Sequence, residues 1–572
     1  MNCENTMIIF RKEAPLKKTI LIVAVVLVFF ALLVVLVGRS IGYLTGQATA
    51  PSKSVLVISI NRALTEQSPE LPFQRSLDFH NLIDAVHKAA RDSHIEGVLV
   101  DGDSLAMSMA QKEELRQALA TVVKGKKPVT VYFDAISIGS YYVVPKGAKV
   151  VMQGTEGGYV TMTGYYAPQI FMRELLQEKL GIKMNVIHIG KYKGAGEPFS
   201  RDSMSSYLRE ELSSYLDDVW KNFTDSIPAA RGLDKENFQK NLYDGKYFAL
   251  SPQEAKSDGF VDTFGYKLDQ EDAYSDTVRI AHYSQRNNLQ SSSGRIALIV
   301  AEGEIQMGTA NPSPFGGSSV IASDTICRTI RRAADNSMIK AIVFRINSPG
   351  GSALASELIY QELRRAAKKK PVVASIGGMG ASGGFYIACG CDEIFADNAS
   401  IVGSIGVISI VPEFTSLMDK VGVHIDPVQK GKYSDFLSPY QKLKPEEANI
   451  LTDEMLKIYT VFKSRVAKSR KMDMEKVEEL AQGRIYSGRK GLELGLVDRI
   501  GGLREALKEA AKQAKLTSIR YRVFSSRKSF IEMILDRQAS VSTKWQELLK
   551  LPPMGRPLLI TPSLAWQEES SK

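Results

Sequence analysis

The chain is poor in the side chains that build metal centres, disulfide frameworks and histidine-based active sites. Its 572 residues include 4 cysteines and 6 histidines. Cys3 and Cys327 lie far apart, Cys389 and Cys391 lie too close together for an easy bridge, and no metal-ligand spacing occurs. We therefore expect buried free thiols and neither a metal nor another cofactor. The histidines are scattered and none lies in a motif typical of a catalytic base, so a Ser-His-Asp triad is not indicated.

Acidic residues are fewer than basic ones, which gives a net charge of +10. The lysines and arginines are spread along the chain, and no nucleic-acid-binding motif accompanies them. This distribution predicts a mild attraction to anionic membrane surfaces and no nucleic-acid partner.

Long apolar runs are also scarce, and a single one is long enough to matter. Residues 20–37 are uninterruptedly apolar, and with their neighbours they reach the roughly 20 residues that cross a bilayer. Four basic residues between positions 11 and 18 place the N-terminus in the cytoplasm by the positive-inside rule. A cleaved signal peptide is the alternative, but the run is long for one and the cleavage-like residues 48–50 lie well beyond it. The sequence therefore predicts one uncleaved, single-pass anchor.

Beyond the anchor, strand and helix patterns alternate. Apolar runs at residues 55–60, 95–100 and 128–133 predict strands, and helical spacing at residues 79–91 and 111–123 predicts the helices between them. This alternation is typical of an α/β fold.

The same order of patterns recurs about 240 residues later, which indicates an internal duplication. The matching segments begin at residues 97 and 341, 127 and 370, 190 and 431, and 259 and 495. The polar residues 284–294 separate the two copies. We predict four parts: the N-terminus and anchor (residues 1–50), a first copy (51–290), a second copy (291–515) and an extension without assigned chemistry (516–572).

The second copy contains two glycine-rich turns that suit nucleophilic catalysis. Ser382 lies among glycines directly after the apolar run 371–376, where a sharp turn would let a substrate backbone approach closely. An ordinary Gly/Ser-rich loop is the alternative. However, Ser348-Pro349-Gly350-Gly351 follows another strand-like run and precedes a helical pattern at residues 353–367. Backbone N–H groups at such a turn can form an oxyanion hole.

Four motifs, taken in their order along the chain, resemble those of the signal peptide peptidase A family, also called protease IV, in its long duplicated form. They are the two turns above, Gly403-Ser404-Ile405-Gly406-Val407, and the segment from Gly190 to Phe199. The resemblance extends from about residue 52 to residue 502. It implies tandem domains of the Clp-protease/crotonase fold group behind one N-terminal transmembrane helix.

The resemblance also implies a serine-lysine dyad divided between the copies. Ser382 would be the nucleophile, and Lys193 in the first copy would be the general base, with an ordinary surface lysine as the alternative. A neutral amine requires burial or a nearby cation, and we expect both a buried pocket and Lys191 to favour it. In the aligned repeats Ile138 stands opposite Ser382 and Ser434 stands opposite Lys193, so each copy lacks one partner.

Three further residues complete the predicted site. By resemblance, Ser404 hydrogen-bonds the catalytic lysine; a plain turn serine is the alternative. The backbone N–H groups of Gly351 and Gly383 are the predicted oxyanion donors. Because the duplication tethers the two copies, we predict that both dyad residues come from the same chain.

The resemblance implies a serine endopeptidase of the bacterial inner membrane with most of its chain on the periplasmic, or outer, side. Its substrates would be signal-peptide remnants and other apolar peptides in the membrane, and it would form a homo-oligomer, a tetramer by analogy. Two alternatives remain. A crotonase-like acyl-CoA enzyme fits the fold but not the anchor, the duplication or Lys193. A non-catalytic membrane scaffold does not explain why all four motifs are present.

Overall fold

The computed structural model describes the bulk of both predicted copies, in residues 53–66, 77–284, 293–310, 320–524 and 558–560. The predicted anchor and most of both the predicted linker and the extension lie outside these ranges. None of the helices in the described ranges combines the length with the apolar character that a bilayer crossing requires. The four-part division of the chain stays a prediction.

Strands occur throughout both halves, and we number them along the chain. The first half contains β1 (Ser54–Ile60), β2 (Ile95–Leu105), β3 (Val129–Phe133), β4 (Ala135–Ser137), β5 (Lys149–Met152), β6 (Tyr159–Thr161), β7 (Lys183–Ile189), β8 (Thr263–Phe264) and β9 (Asp276–Arg279). The second half contains β10 (Ile296–Glu302), β11 (Glu304–Gln306), β12 (Val320–Ala322), β13 (Ala341–Ser348), β14 (Gly350–Ser352), β15 (Val372–Ala381), β16 (Glu393–Ala396), β17 (Ile401–Gly403), β18 (Val407–Glu413), β19 (Ile485–Ser487), β20 (Arg499–Ile500) and β21 (Tyr521–Val523), and the described part of the extension adds β22 (Leu558–Ile560).

Helices lie between these strands and agree with the predicted alternation. The first half contains α-helices at Phe79–Ala89, Met109–Lys124, Ile138–Tyr141, Glu197–Ser200, Ser206–Arg231, Lys235–Tyr243, Pro252–Ser257, Lys267–Asp272 and Ile280–Ser284, a π-helix at Glu174–Leu180 and a 3₁₀ turn at Gly194–Gly196. The second half contains α-helices at Ser323–Asp335, Ala353–Ala367, Gly383–Ala388, Thr415–Lys420, Pro445–Arg470, Met474–Leu480, Gly488–Glu493 and Leu503–Gln513. The α/β class predicted from the sequence is confirmed.

The two halves contain parallel sheets with the same strand order. The first sheet has the order β8-β5-β3-β2-β1-β9. In the second sheet, the path β20-β16-β15-β13-β10-β21 repeats that order strand for strand. The parallel strand β17 and the antiparallel strand β19 extend the second sheet beyond β15. These strands are rich in Val and Ile because helices cover both faces of a parallel sheet and bury it. The repeated order agrees with the duplication that the sequence indicates.

Matched ion pairs support the correspondence between the halves. Each half has a long helix that ends in an arginine, Arg231 in the first and Arg470 in the second. Arg231 pairs with Asp262, and Arg470 pairs with Asp498. Both aspartates belong to the repeated Gly-x-Val-Asp segments of the sequence.

A third sheet joins the halves. Its strand order is β12-β11-β14-β22-β18-β7. β7 from the first half pairs antiparallel with β18 from the second over seven residue pairs, from Ile189 opposite Val407 to Lys183 opposite Glu413. The halves therefore share a hydrogen-bonded ladder.

A buried ion-pair cluster also crosses between the halves. Arg345 on β13 is fully buried and donates to Glu66 through two hydrogen bonds of 3.0 Å. It also donates to Glu114 at 2.6 Å and to Ser375 Oγ at 2.9 Å. Both glutamates belong to the first half. A buried arginine requires such partners, so removing either glutamate would leave a buried charge that is not fully compensated.

Candidate active site

Ser382 occupies a sharp turn between β15 and the helix Gly383–Ala388. Its φ of +53° is unusual for a residue with a side chain, and strain of this kind is common at functional turns. β15 continues five residues beyond the apolar run that predicted it, because residues 379–381 pair through their backbones with β17. The N–H of Ser382 donates to Gly403 O at 2.8 Å. The side chain is fully buried.

Lys193 reaches Ser382 from the other half of the same chain. It follows β7 in a short turn, and its side chain is 1% exposed. Its Nζ lies 2.8 Å from Ser382 Oγ. The same Nζ donates to Ser404 Oγ at 2.8 Å and to Ser404 O at 3.0 Å. The three predicted side chains thus lie together, although they are far apart in the sequence.

The environment of Lys193 favours the neutral amine. Burial lowers the pKa of Lys193 from 10.5 to about 7, and the charge of Glu211 opposes that change. The expected contribution of Lys191 is not found. Its ammonium lies over the rings of Tyr192 and Tyr207, 5.3 and 5.4 Å from their centroids. Desolvation alone therefore accounts for the lowered pKa, and the predicted effect of a neighbouring cation is wrong.

A turn that the sequence analysis missed, residues 482–485, holds the dyad in place. Tyr192 N–H donates to Gln482 O at 2.8 Å, and Ser404 N–H donates to Arg484 O at 2.7 Å. Gly483 has φ +82°, and a Cβ there would lie 2.6 Å from Lys193 N. Glycine is required at this position because the two backbones touch. The turn lies outside all four sequence motifs.

Glu211 is a second residue that the motifs did not reveal. It is fully buried in the helix Ser206–Arg231 and accepts a hydrogen bond from Ile485 N–H at 2.6 Å. Its position contained a signal. Leu208, Glu211, Leu212 and Tyr215 have the i, i+3, i+4, i+7 spacing of a buried helix face, where a carboxyl group is unusual.

The predicted oxyanion donors, Gly351 and Gly383, lie side by side. A Cβ on Gly383 would be 3.2 Å from Gly351 N. Gly351 has φ +147°, and a Cβ there would be 2.1 Å from Ile305 O, so no larger residue fits. Each glycine lies at or just before the N-terminal end of a helix, next to Ser382. Backbone N–H groups and helix dipoles there favour a negative charge.

A slot for an extended chain runs beside these glycines. β22 lies between β14 and β18 in the third sheet. It pairs antiparallel with β14, with Leu559 opposite Gly351, and it also pairs with Ile408 of β18. An extended backbone can therefore hydrogen-bond beside Ser382 in the manner of strand addition.

The first half has no equivalent dyad among its described residues. The sequence alignment placed Ile138 opposite Ser382, but the residue in the N-cap position of the equivalent helix, which Ser382 occupies in the second half, is Ser137. The sequence alignment is thus off by one residue here. Ser137 is exposed, and its Oγ accepts from Ser140 N–H as an ordinary helix cap. Ser434, opposite Lys193, is exposed and bonds to Gly431 O.

The cysteines within the described ranges are unpaired, as the sequence analysis expects. Cys389 and Cys391 are buried, and Cys327 is partly buried. Burial raises the pKa of the Cys389 thiol to about 12, so that thiol stays protonated. Cys3 lies outside the described residues.

Comparison with known proteins identifies the family. The pattern of peptidase family S49 matches residues 121–278 and 364–517. The chloroplastic serine protease SPPA of Arabidopsis thaliana is 31% identical over 487 residues, which cover 81% of this chain and 69% of that protein. Protease 4 of Salmonella typhi is 29% identical over 506 residues, or 85% of this chain and 80% of that protein.

Among solved structures, a ClpP1 mutant from Listeria monocytogenes is similar to part of the chain. The match has 14% identity and a TM-score of 0.24, and it covers 36% of this chain and 93% of that one. The family pattern, by contrast, occurs in both halves of the chain, and the Arabidopsis relative matches most of it. The chain belongs to peptidase family S49 and is a serine peptidase.

Proposed function

We propose that the chain is a membrane-anchored endopeptidase in which Ser382 and Lys193 form the catalytic dyad. The observation that carries this proposal is the 2.8 Å distance between Lys193 Nζ and Ser382 Oγ in a buried pocket. A neutral amine has two N–H groups and one lone pair. The two donors are used by Ser404 O and Oγ, so the lone pair faces the hydroxyl of Ser382. Ser404 therefore orients the base.

The reaction follows from this arrangement. Lys193 accepts the proton of Ser382 as Oγ bonds to the carbonyl carbon of the peptide. The carbonyl oxygen becomes negatively charged beside the N–H groups of Gly351 and Gly383, which stabilise it. The ammonium of Lys193 then protonates the leaving amine, and an acyl-enzyme remains. In the second half of the reaction Lys193 activates water in the same way.

The substrate class is inferred from the slot and from the anchor. An extended peptide paired between β14 and β18 would present its carbonyl group next to Ser382. The apolar residues 20–37 would hold the enzyme in the bacterial inner membrane, with the catalytic halves on the periplasmic side. We therefore propose that the substrates are signal-peptide remnants and other apolar peptides. A homotetramer is proposed from the resemblance to the family alone.

A fluorophosphonate probe tests this proposal most directly. Such a probe should label Ser382 in the wild type, and labelling and peptide hydrolysis should both be lost in Ser382→Ala. Ser137→Ala is the matched control, because Ser137 occupies the same helix-start position in the first half but is exposed. A wild-type enzyme that the probe does not label would contradict the dyad. It would favour an acyl-CoA enzyme or a non-catalytic scaffold.

A further inference from the structure

A carboxyl group lies behind the dyad where the two halves meet. Glu211, on the first-half helix Ser206–Arg231, is fully buried. Its Oε1 accepts from Ile485 N–H of the second half at 2.6 Å. Its Oε2 is also buried and has no hydrogen-bond partner among the described residues. Burying a carboxyl group with one oxygen unpaired is unfavourable, which points to a functional role for this residue.

The hydrogen bond from Ile485 connects Glu211 to both serines of the site. Ile485 lies opposite Gly403 in the pairing of β19 with β17. Gly403 O accepts the N–H of Ser382 at 2.8 Å. The neighbouring Arg484 O accepts the N–H of Ser404 at 2.7 Å. Glu211 thus holds the strand end that fixes the backbones of Ser382 and Ser404.

Glu211 and Lys193 also influence each other's pKa. An ionised Glu211 raises the pKa of Lys193, and Lys193 lowers the pKa of Glu211. Burial outweighs the second effect and raises the pKa of Glu211 to about 8, so its carboxyl group is mostly protonated near neutral pH. The other groups that face Glu211 are Arg484, which lowers its pKa, Glu197, which raises it, and the phenol of Tyr486. The titrations of Glu211 and Lys193 are therefore coupled, and both groups are buried.

We propose that Glu211 is a positioning residue for the dyad, which fixes the 482–485 turn through the hydrogen bond from Ile485 N–H. The inference rests on the proposed dyad. In the acylation step one proton moves from Ser382 Oγ to Lys193 Nζ, and Oγ forms its bond to the substrate carbonyl carbon. The electron pair of the C=O bond moves to the oxygen. Glu211 forms and breaks no covalent bond; it holds the turn that fixes the backbones beside Lys193 and Ser404.

Glu211→Gln and Glu211→Ala test this role as a pair, because glutamine keeps an acceptor for Ile485 N–H and alanine removes it. We expect Glu211→Gln to lower kcat by less than about tenfold, because the turn and the base both remain. Glu211→Ala should lower kcat by more than the glutamine variant does and leave KM nearly unchanged, because the lost contact holds the dyad and not the substrate. Asp217→Ala is the matched control, since it truncates an exposed carboxylate on the same helix and should leave kcat in place.

Counting active sites with the fluorophosphonate probe and measuring Tm separate this role from a purely structural one. A structural Glu211 would lower Tm and the number of labelled sites in Glu211→Ala, while kcat per labelled Ser382 would stay at the wild-type value. A wild-type kcat per labelled site in Glu211→Ala overturns the proposal. A glutamine variant that loses as much kcat as the alanine variant overturns it too. Failure of the dyad itself is distinguishable, because the wild type would then show no probe labelling at Ser382.

Discussion

Replacing Lys193 with alanine or with arginine should abolish peptide hydrolysis. Both changes remove the neutral amine that lies 2.8 Å from Ser382 Oγ. Arginine keeps a positive charge at the site but cannot release its proton, so it cannot act as a base. General-base catalysis contributes roughly 10²- to 10⁴-fold, and we expect a loss of at least about a hundredfold for each variant.

The size of the effect follows from the environment of the lysine. An ordinary lysine with a pKa of 10.5 has about one neutral amine in 3,000 at pH 7. Burial lowers the pKa of Lys193 to about 7, so about half of the molecules then have a neutral amine. The ammonium forms as the pH falls and is inactive as a base. The kcat/KM of the wild type should therefore rise with pH through the neutral range and level off above about pH 8.

The assay is a pH profile of kcat/KM with a fluorogenic apolar peptide. The rate of fluorophosphonate labelling, measured over the same pH range, serves as a substrate-independent check. Lys191→Ala and Lys191→Arg are the controls, because Lys191 is exposed two residues away and lies over tyrosine rings. Both should keep nearly wild-type activity. Activity in the Lys193→Arg enzyme would refute the reasoning. So would a wild-type profile in which kcat/KM rises only near the ordinary pKa of lysine.

Three further predictions use the same assay. Ser404→Ala should lower kcat by less than either Lys193 variant does, because it removes an orienting hydrogen bond and leaves the base; an equal loss would count against that role. Co-expressed Ser382→Ala and Lys193→Ala chains should stay at background activity if each dyad forms within one chain, whereas recovery toward about a quarter of wild type would show a dyad shared between chains. Deleting residues 525–572 should raise kcat/KM by removing β22 from the slot between β14 and β18, and unchanged kinetics would show that β22 does not compete with the substrate.

The sequence was most informative where a local pattern determines structure. The apolar runs and helical spacings predicted the strand and helix order, because period and length distinguish these elements. The glycine turns at Ser382 and Gly351 could be located because a sharp turn that leads into a helix requires small residues. The strand order that both halves share also has a counterpart in the sequence, where matching segments recur about 240 residues apart.

The parts that the sequence analysis missed depend on contacts between distant segments. The 482–485 turn fixes Lys193 and Ser404 through backbone atoms, which any residue type can supply, so no side-chain motif marks it. The lowered pKa of Lys193 comes from burial between the halves and not from Lys191, its neighbour in sequence. Glu211 and Arg345 did leave a trace, since each is a charged residue within an otherwise apolar pattern, but their partners could not be inferred locally.

The shared sheet explains how two halves can form one site with atomic accuracy. β7 and β18 pair antiparallel, with Ile189 opposite Val407. Lys193 follows that pair by four residues on one strand, and Ser404 precedes it by three on the other, so the register places them at the same end of the ladder. A shift by one residue would turn every side chain of β7 to the opposite face and would displace Lys193. The ladder is therefore a part of the catalytic geometry as well as a joint between the halves.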